Sequence, residues 1–231
     1  MRILFCIKAA VLIILLGFGF FVKAQTPSVR WEGGFSANHK FNNKWSLNTQ
    51  LLARETFNDY GSETIKPFTD RMEIKPFLTY ALFNQRKVSL GYMYRSIDPF
   101  EDYRGVEHRI TQQFAFLSSI RNYRIAHRIK IEERIFKEDF ILRLRYRFSY
   151  DQPLQGETLD PGEWYALLSN EFILSFSNGE EDWQNRLAFG FGKIFKSKEK
   201  LQFSLTHRYS DLLTTTTNQI IQFKSVYYFS L

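Results

Sequence analysis

The sequence predicts an all-β protein: a transmembrane, antiparallel, up-and-down β-barrel of about 10–12 strands behind a cleaved signal peptide. Three observations predict it. The first 24 residues have the layout of a secretory leader. Most of the remainder alternates apolar with polar residues at period two, the signature of a strand with two unlike faces. The alternating stretches are about 9–14 residues long, enough for a tilted strand to cross a bilayer, whereas ordinary strands average five or six.

The leader comes first. Arg2 and Lys8 give a positive start, Ala9 to Val22 is an almost unbroken apolar run, and Val22-Lys23-Ala24 supplies a cleavage site before Gln25. The run is too short for a stable membrane helix. The chain therefore divides into a signal peptide, 1–24, and an outer-membrane β-barrel, 25–231. Cys6 is the only cysteine and lies in the leader, so the exported chain has no disulfide, thiol nucleophile or cysteine metal ligand. Its position near the start of the apolar run argues against a lipid-anchored N-terminus. The net charge of +7 falls by three, to +4, when Arg2, Lys8 and Lys23 leave. Export and the absence of a basic run argue against nucleic acid as a partner. The expected partners are outer-membrane lipids, and the barrel-insertion machinery during assembly. The expected location is the outer membrane of a double-membraned bacterium.

The strands follow in order. In 29–41, Val29, Trp31, Phe35, Ala37 and Phe41 share one parity, with Arg30, Glu32, Ser36, Asn38 and Lys40 on the other. Similar stretches cover 45–55, 70–82, 88–96, 107–118 and 123–135. In 140–150, Phe140, Leu142, Leu144, Tyr146, Phe148 and Tyr150 alternate with Arg143, Arg145, Arg147 and Ser149. Further stretches cover 163–176, 184–195 and 201–209. At the chain end Phe223, Tyr227, Phe229 and Leu231 alternate with Gln222, Lys224, Tyr228 and Ser230. Short turns at 42–44, 83–87, 119–122 and 196–200 and longer polar loops at 56–69, 97–106, 177–183 and 210–217 suit a barrel with two unlike ends. Pro76 cannot donate to a ladder and suggests a bulge. Eleven segments result, but single-chain bacterial barrels have an even number of strands. Twelve strands is therefore the first expectation and ten the alternative. The mismatch is placed at 136–162, where loop lengths fall out of step.

Hydrocarbon offers no partner for a charge, so the apolar parity is assigned to lipid and the charged parity to the lumen. The lumen set comprises Arg71, Glu73, Lys75, Arg95, Glu107, Arg109, Arg124, Arg128, Lys130, Glu132, Arg134, Arg143, Arg145, Arg147, Glu171, Arg186 and Arg208. Unpaired buried ions cost several kcal/mol, so a salt-bridged core closing the barrel is the leading reading. The excess of Arg over Glu leaves an anion-preferring pore as a second one. Arg143, Arg145 and Arg147 share one face at about 7 Å spacing and need carboxylates such as Glu132 or Glu171, or a bound anion. Trp31, Trp45, Trp164 and Trp183 stand at strand ends, as do Tyr60, Tyr103, Tyr123, Tyr150 and Tyr165, where interfacial girdles sit.

His39, His108, His127 and His207 lie on the apolar parity, none at metal-ligand spacing, so neither metal nor cofactor is expected. No catalytic residue is assigned. A membrane-embedded lipid hydrolase or acyltransferase, built on His207 with Ser210 and Asp211 or on His39 with Ser36 and Asn38, is an alternative. A secreted soluble barrel holding an apolar ligand is another.

Several short blocks carry a resemblance. They are Arg143-Leu144-Arg145-Tyr146-Arg147 running to Pro153-Leu154, Ser169-Asn170-Glu171, and Gln184-Asn185-Arg186-Leu187 followed by Phe189-Gly190-Phe191-Gly192. With Trp31 and Trp45-Ser46-Leu47 they resemble the domain-of-unknown-function 2490 family over nearly all of 29–231. The resemblance implies a small outer-membrane barrel with no established activity. The chain end, Tyr227-Tyr228-Phe229-Ser230-Leu231, is similar to the assembly signal of such barrels, with Leu in place of the terminal aromatic.

Overall fold

The computed structural model describes residues 27–58, 65–120, 123–156, 158–212 and 218–231. The leader and Tyr60 lie outside them. Eleven strands form one closed barrel: β1 (Ser28–Lys40), β2 (Trp45–Thr56), β3 (Phe68–Ala81), β4 (Lys87–Ile97), β5 (Gly105–Ile120), β6 (Tyr123–Ile135), β7 (Phe140–Pro153), β8 (Trp164–Ser177), β9 (Glu180–Ile194), β10 (Lys200–Ser210) and β11 (Asn218–Ser230). Each pairs antiparallel with its sequence neighbour, so the sheet is a meander rolled on itself. A strand of 13 residues at about 3.4 Å per residue, tilted about 40°, rises about 33 Å.

The expectation of twelve strands, or ten, is corrected to eleven. An even meander returns its last strand antiparallel to its first. An odd one cannot, and the seam here is parallel: Ser28 stands opposite Ile220 and Asn38 opposite Ser230. A parallel ladder hydrogen-bonds as completely as an antiparallel one, so no edge remains. The barrel begins at one end, called proximal, and finishes at the other, called distal.

Two local expectations change. The loop expected at 177–183 is the two-residue turn Asn178-Gly179, with φ of 50° and 83°. Positive φ at both positions is the type I′ geometry that Asn-Gly favours. Glu180, Glu181 and Asp182 therefore open β9. The bulge is at Asp70, not Pro76. The β2–β3 register shifts between Arg54 and Glu55, where Arg54 faces Arg71 and Glu55 faces Thr69, leaving Asp70 as the extra residue. Pro76 keeps register with Thr49 on β2.

Burial follows parity. Along β4, Ser89, Met93 and Arg95 are buried while Val88, Leu90, Tyr92 and Tyr94 are exposed. The buried side is the lumen. Leu52, Met93, Tyr165, Leu167, Ile173, Ile220 and Val226 are buried among its polar residues. Leu52 lies over Gly34 and Tyr165 over Gly192, where any Cβ would collide with them. The outer wall carries exposed Phe35, Leu51, Leu90, Phe172, Phe189 and Phe223.

Candidate functional site

The inner face between β3 and β9 holds a continuous belt of ion pairs. Glu73 on β3 takes Lys75 and Arg95, the latter at 2.5 Å. Arg95 reaches on to Glu107 on β5, at 2.5 Å. Glu107 also receives Arg109 at 2.6 Å and Arg134 from β6 at 2.7 Å. Arg109 and Arg145 both bond Glu132, at 3.2 and 2.8 Å. Arg145 continues to Glu171 at 2.5 Å, which also takes Arg128 at 3.3 Å and lies 3.9 Å from Arg186 on β9. Glu107 is fully buried and Glu132 is 2% exposed. Glu107, Glu132 and Glu171 thus each stand between guanidiniums from both neighbouring strands, which offsets their loss of hydration.

Of the sequence-assigned lumen set, the structure brings Arg71, Glu73, Arg109, Arg128, Glu132, Arg134, Arg145, Glu171 and Arg186 into these pairs, Arg71 lying 3.4 Å from Asp70 and 3.9 Å from Glu73. Arg143 is buried and donates to Ser175 Oγ at 3.0 Å. Arg147 stands opposite Glu171 in register, without an ion pair among the described residues. Arg208 has none there either. Arg124 is exposed at the distal mouth and donates to Gln85 at 3.2 Å. Sequence reasoning missed Arg54–Asp70, where the arginine is 2% exposed and Thr56 also donates to the carboxylate at 3.0 Å. It also left out the seam pair Lys224–Glu32, at 2.5 Å. Glu32 and Lys224 were readable from parity. Asp70 was not, because the bulge turns it inward.

Above the belt, toward the proximal end, lies a cavity of about 320 Å³. Twelve Lys and Arg side chains line it against only Glu32 and Glu73. Adding the four further carboxylates that pair with these cations, Asp70, Glu107, Glu132 and Glu171, still leaves the wall positive.

On the outer wall Trp31 and Trp183 stand near the proximal end, Trp45 and Trp164 near the distal end, each between 40 and 45% exposed. Histidines join them. His108 bonds Tyr92 at 2.6 Å and His207 bonds Tyr209 at 3.1 Å near the proximal end. His127 bonds Tyr146 at 2.8 Å near the distal end, and His39 packs edge-on to Phe41. Tyr165 is corrected: it points into the lumen and donates to Gln202 at 2.9 Å. Tyr103 sits in the β4–β5 loop, 94% exposed. His207 takes Gln219 at 3.0 Å in place of Ser210 or Asp211, so that dyad does not form. No group of three potential metal ligands occurs among the described residues.

A family model for proteins of unknown function, DUF2490, matches residues 33–219. The chain belongs to the DUF2490 family. The match takes in the whole ion-pair belt of this DUF2490 barrel, from Glu73 to Arg186, and leaves out both halves of the seam pair, Glu32 and Lys224. No curated protein and no solved structure is detectably similar to it.

Proposed function

We propose that this DUF2490 protein is an outer-membrane β-barrel, exported by its leader, whose lumen the ion-pair belt closes to all but the narrowest traffic. One observation carries the reading: the faces are inverted relative to a soluble barrel. Phe35, Leu90, Phe189 and Phe223 are half exposed or more on the outer wall, while Glu107, Glu132, Arg54 and Arg109 are buried within. Water would penalise that apolar wall, whereas a bilayer of about 30 Å hydrocarbon accepts it. Two tryptophans near each rim support the same reading, since such rings favour the boundary between hydrocarbon and headgroup. Against a secreted apolar-ligand carrier stands the charge inside. Fractionation tests the proposal: the protein stays with the outer membrane and leaves only with detergent. Recovery in the soluble periplasm would refute it. In a planar bilayer a closed barrel gives no conductance above background, and steady anion-preferring channels would establish the narrow-pore version instead.

One observation favours a second reading. Ser118 Oγ lies 2.7 Å from His127 Nε2, whose Nδ1 lies 2.8 Å from Tyr146 hydroxyl, all on the outer wall near the distal end. A nucleophile, a base and an orienting group in a row are what acyl hydrolysis at a lipid surface needs. The same His–Tyr contact recurs at His108 and His207, which favours a girdle role. Phospholipid turnover abolished by Ser118→Ala would establish the hydrolase. Absence of turnover in the wild type would dismiss it.

A further inference from the structure

The lumen repeatedly sets cation against cation across neighbouring strands, and most of these oppositions are relieved by a carboxylate. Like charges directly opposite destabilise a sheet unless a counter-charge bridges them. Arg54 faces Arg71, and Asp70 contacts both. Arg109 faces Arg134, and Glu107 contacts both. Lys130 faces Arg145, which holds Glu132 and Glu171, and Arg128 faces Arg147, with Glu171 on the former. The remaining pair differs. Arg186 on β9 faces Arg208 on β10. Arg186 donates to Gln184 at 3.1 Å and comes no closer than 3.9 Å to Glu171, and Arg208 has no ion pair among the described residues.

Both guanidiniums line the proximal cavity. Among the described residues the Nε atoms of Arg186 and Arg208 are buried without a hydrogen-bond partner, while that of Arg71 lies 3.4 Å from Asp70. Arg143, buried and bonded among the described residues to the Ser175 hydroxyl alone, lines the same space. Glu32 also faces it, but its carboxylate is held by Lys224 at 2.5 Å. About 320 Å³ holds roughly ten waters at about 30 Å³ each, ample for a small anion.

We propose that Arg186 and Arg208, with Arg71 and Arg143 around them, form a binding site for a small multivalent oxyanion, such as free phosphate or pyrophosphate, that takes the bridging place Asp70 and Glu107 take elsewhere in the lumen. Planar guanidinium forks match the oxygens of phosphate and carboxylate in bidentate fashion. The site lies inside the barrel, so the ligand is a free solute and not a lipid headgroup. The inference concerns the folded barrel and stands whether or not the membrane reading does.

The test titrates the purified full-length protein in detergent with inorganic phosphate and pyrophosphate, against sodium chloride at matched ionic strength, following the melting temperature and 31P linewidths. Phosphate and pyrophosphate raise the melting temperature by about 5 °C more than chloride at saturation, and their 31P signals broaden. Arg208→Gln weakens binding about tenfold or more. Arg208→Glu places a carboxylate opposite Arg186, so it melts higher than the wild type in chloride and loses the phosphate response. Equal effects of phosphate and chloride, with no 31P broadening by the wild type, would overturn the site whatever the variants do. A folded Arg208→Gln variant of undiminished affinity would overturn it too.

Discussion

At the scale of single residues, the lumen is governed by the cost of an unpaired charge. Glu107 answers three guanidiniums, those of Arg95, Arg109 and Arg134. Glu107→Gln strands them together, so unfolding should become easier by about 3–5 kcal/mol, read as a lower temperature for loss of the compact band in heat-modifiability gels. Asp70→Ala exposes Arg54 to the same fault, since its two main partners at the bulge are Arg54 and Thr56. On the outer wall the governing cost is reversed. Phe189→Arg at mid-strand should destabilise the barrel by about 2–4 kcal/mol in lipid, and Trp183→Arg near the rim by about 0–1. Equal penalties at the two depths, measured by denaturant unfolding in vesicles, would argue against a bilayer around this wall.

Elements were legible where one rule acted alone. All eleven strands appear in the sequence as period-two runs, because lumen and outer wall demand opposite chemistry of successive residues. Their boundaries failed where a second rule intervened. Glu180, Glu181 and Asp182 read as loop because charge was weighed over the Asn178-Gly179 turn signal that precedes them. Charge alone does not end a strand, so the turn decides. Gly179→Val should destabilise by about 1–2 kcal/mol through its positive φ, and Gly162→Ala, at φ 101°, by about 1 kcal/mol for the same reason, both read by denaturant unfolding. Asp70 was illegible for a different reason: a bulge breaks the parity on which its direction is read. The Arg-rich belt was legible as composition, yet which carboxylate bridges which cations depends on register, and register is set by the neighbours of each strand.

At the scale of the molecule, the even-number rule argued against the eleven runs actually present in the chain. The parallel pairing of β1 with β11 closes an odd barrel and places the start of β1 and the end of β11 at opposite rims. Tags added before Ser28 and after Leu231 should therefore report from opposite sides of the membrane, by protease protection in intact and permeabilised cells. Both tags on one side would require an even barrel. The charge pattern also belongs to this scale: the proximal half of the lumen carries the cationic cavity, while Leu52, Tyr165, Leu167 and Val226 contribute apolar bulk inside. Spin labels along β4 measure most directly whether the outer wall meets lipid. Labels replacing Val88, Leu90, Tyr92 and Tyr94 should relax fast with lipid-dissolved oxygen and slowly with aqueous nickel, while labels replacing Ser89 and Met93 respond weakly to oxygen. Nickel accessibility at Leu90 and Tyr92 equal to that of an exposed loop site such as Tyr103 would contradict the account.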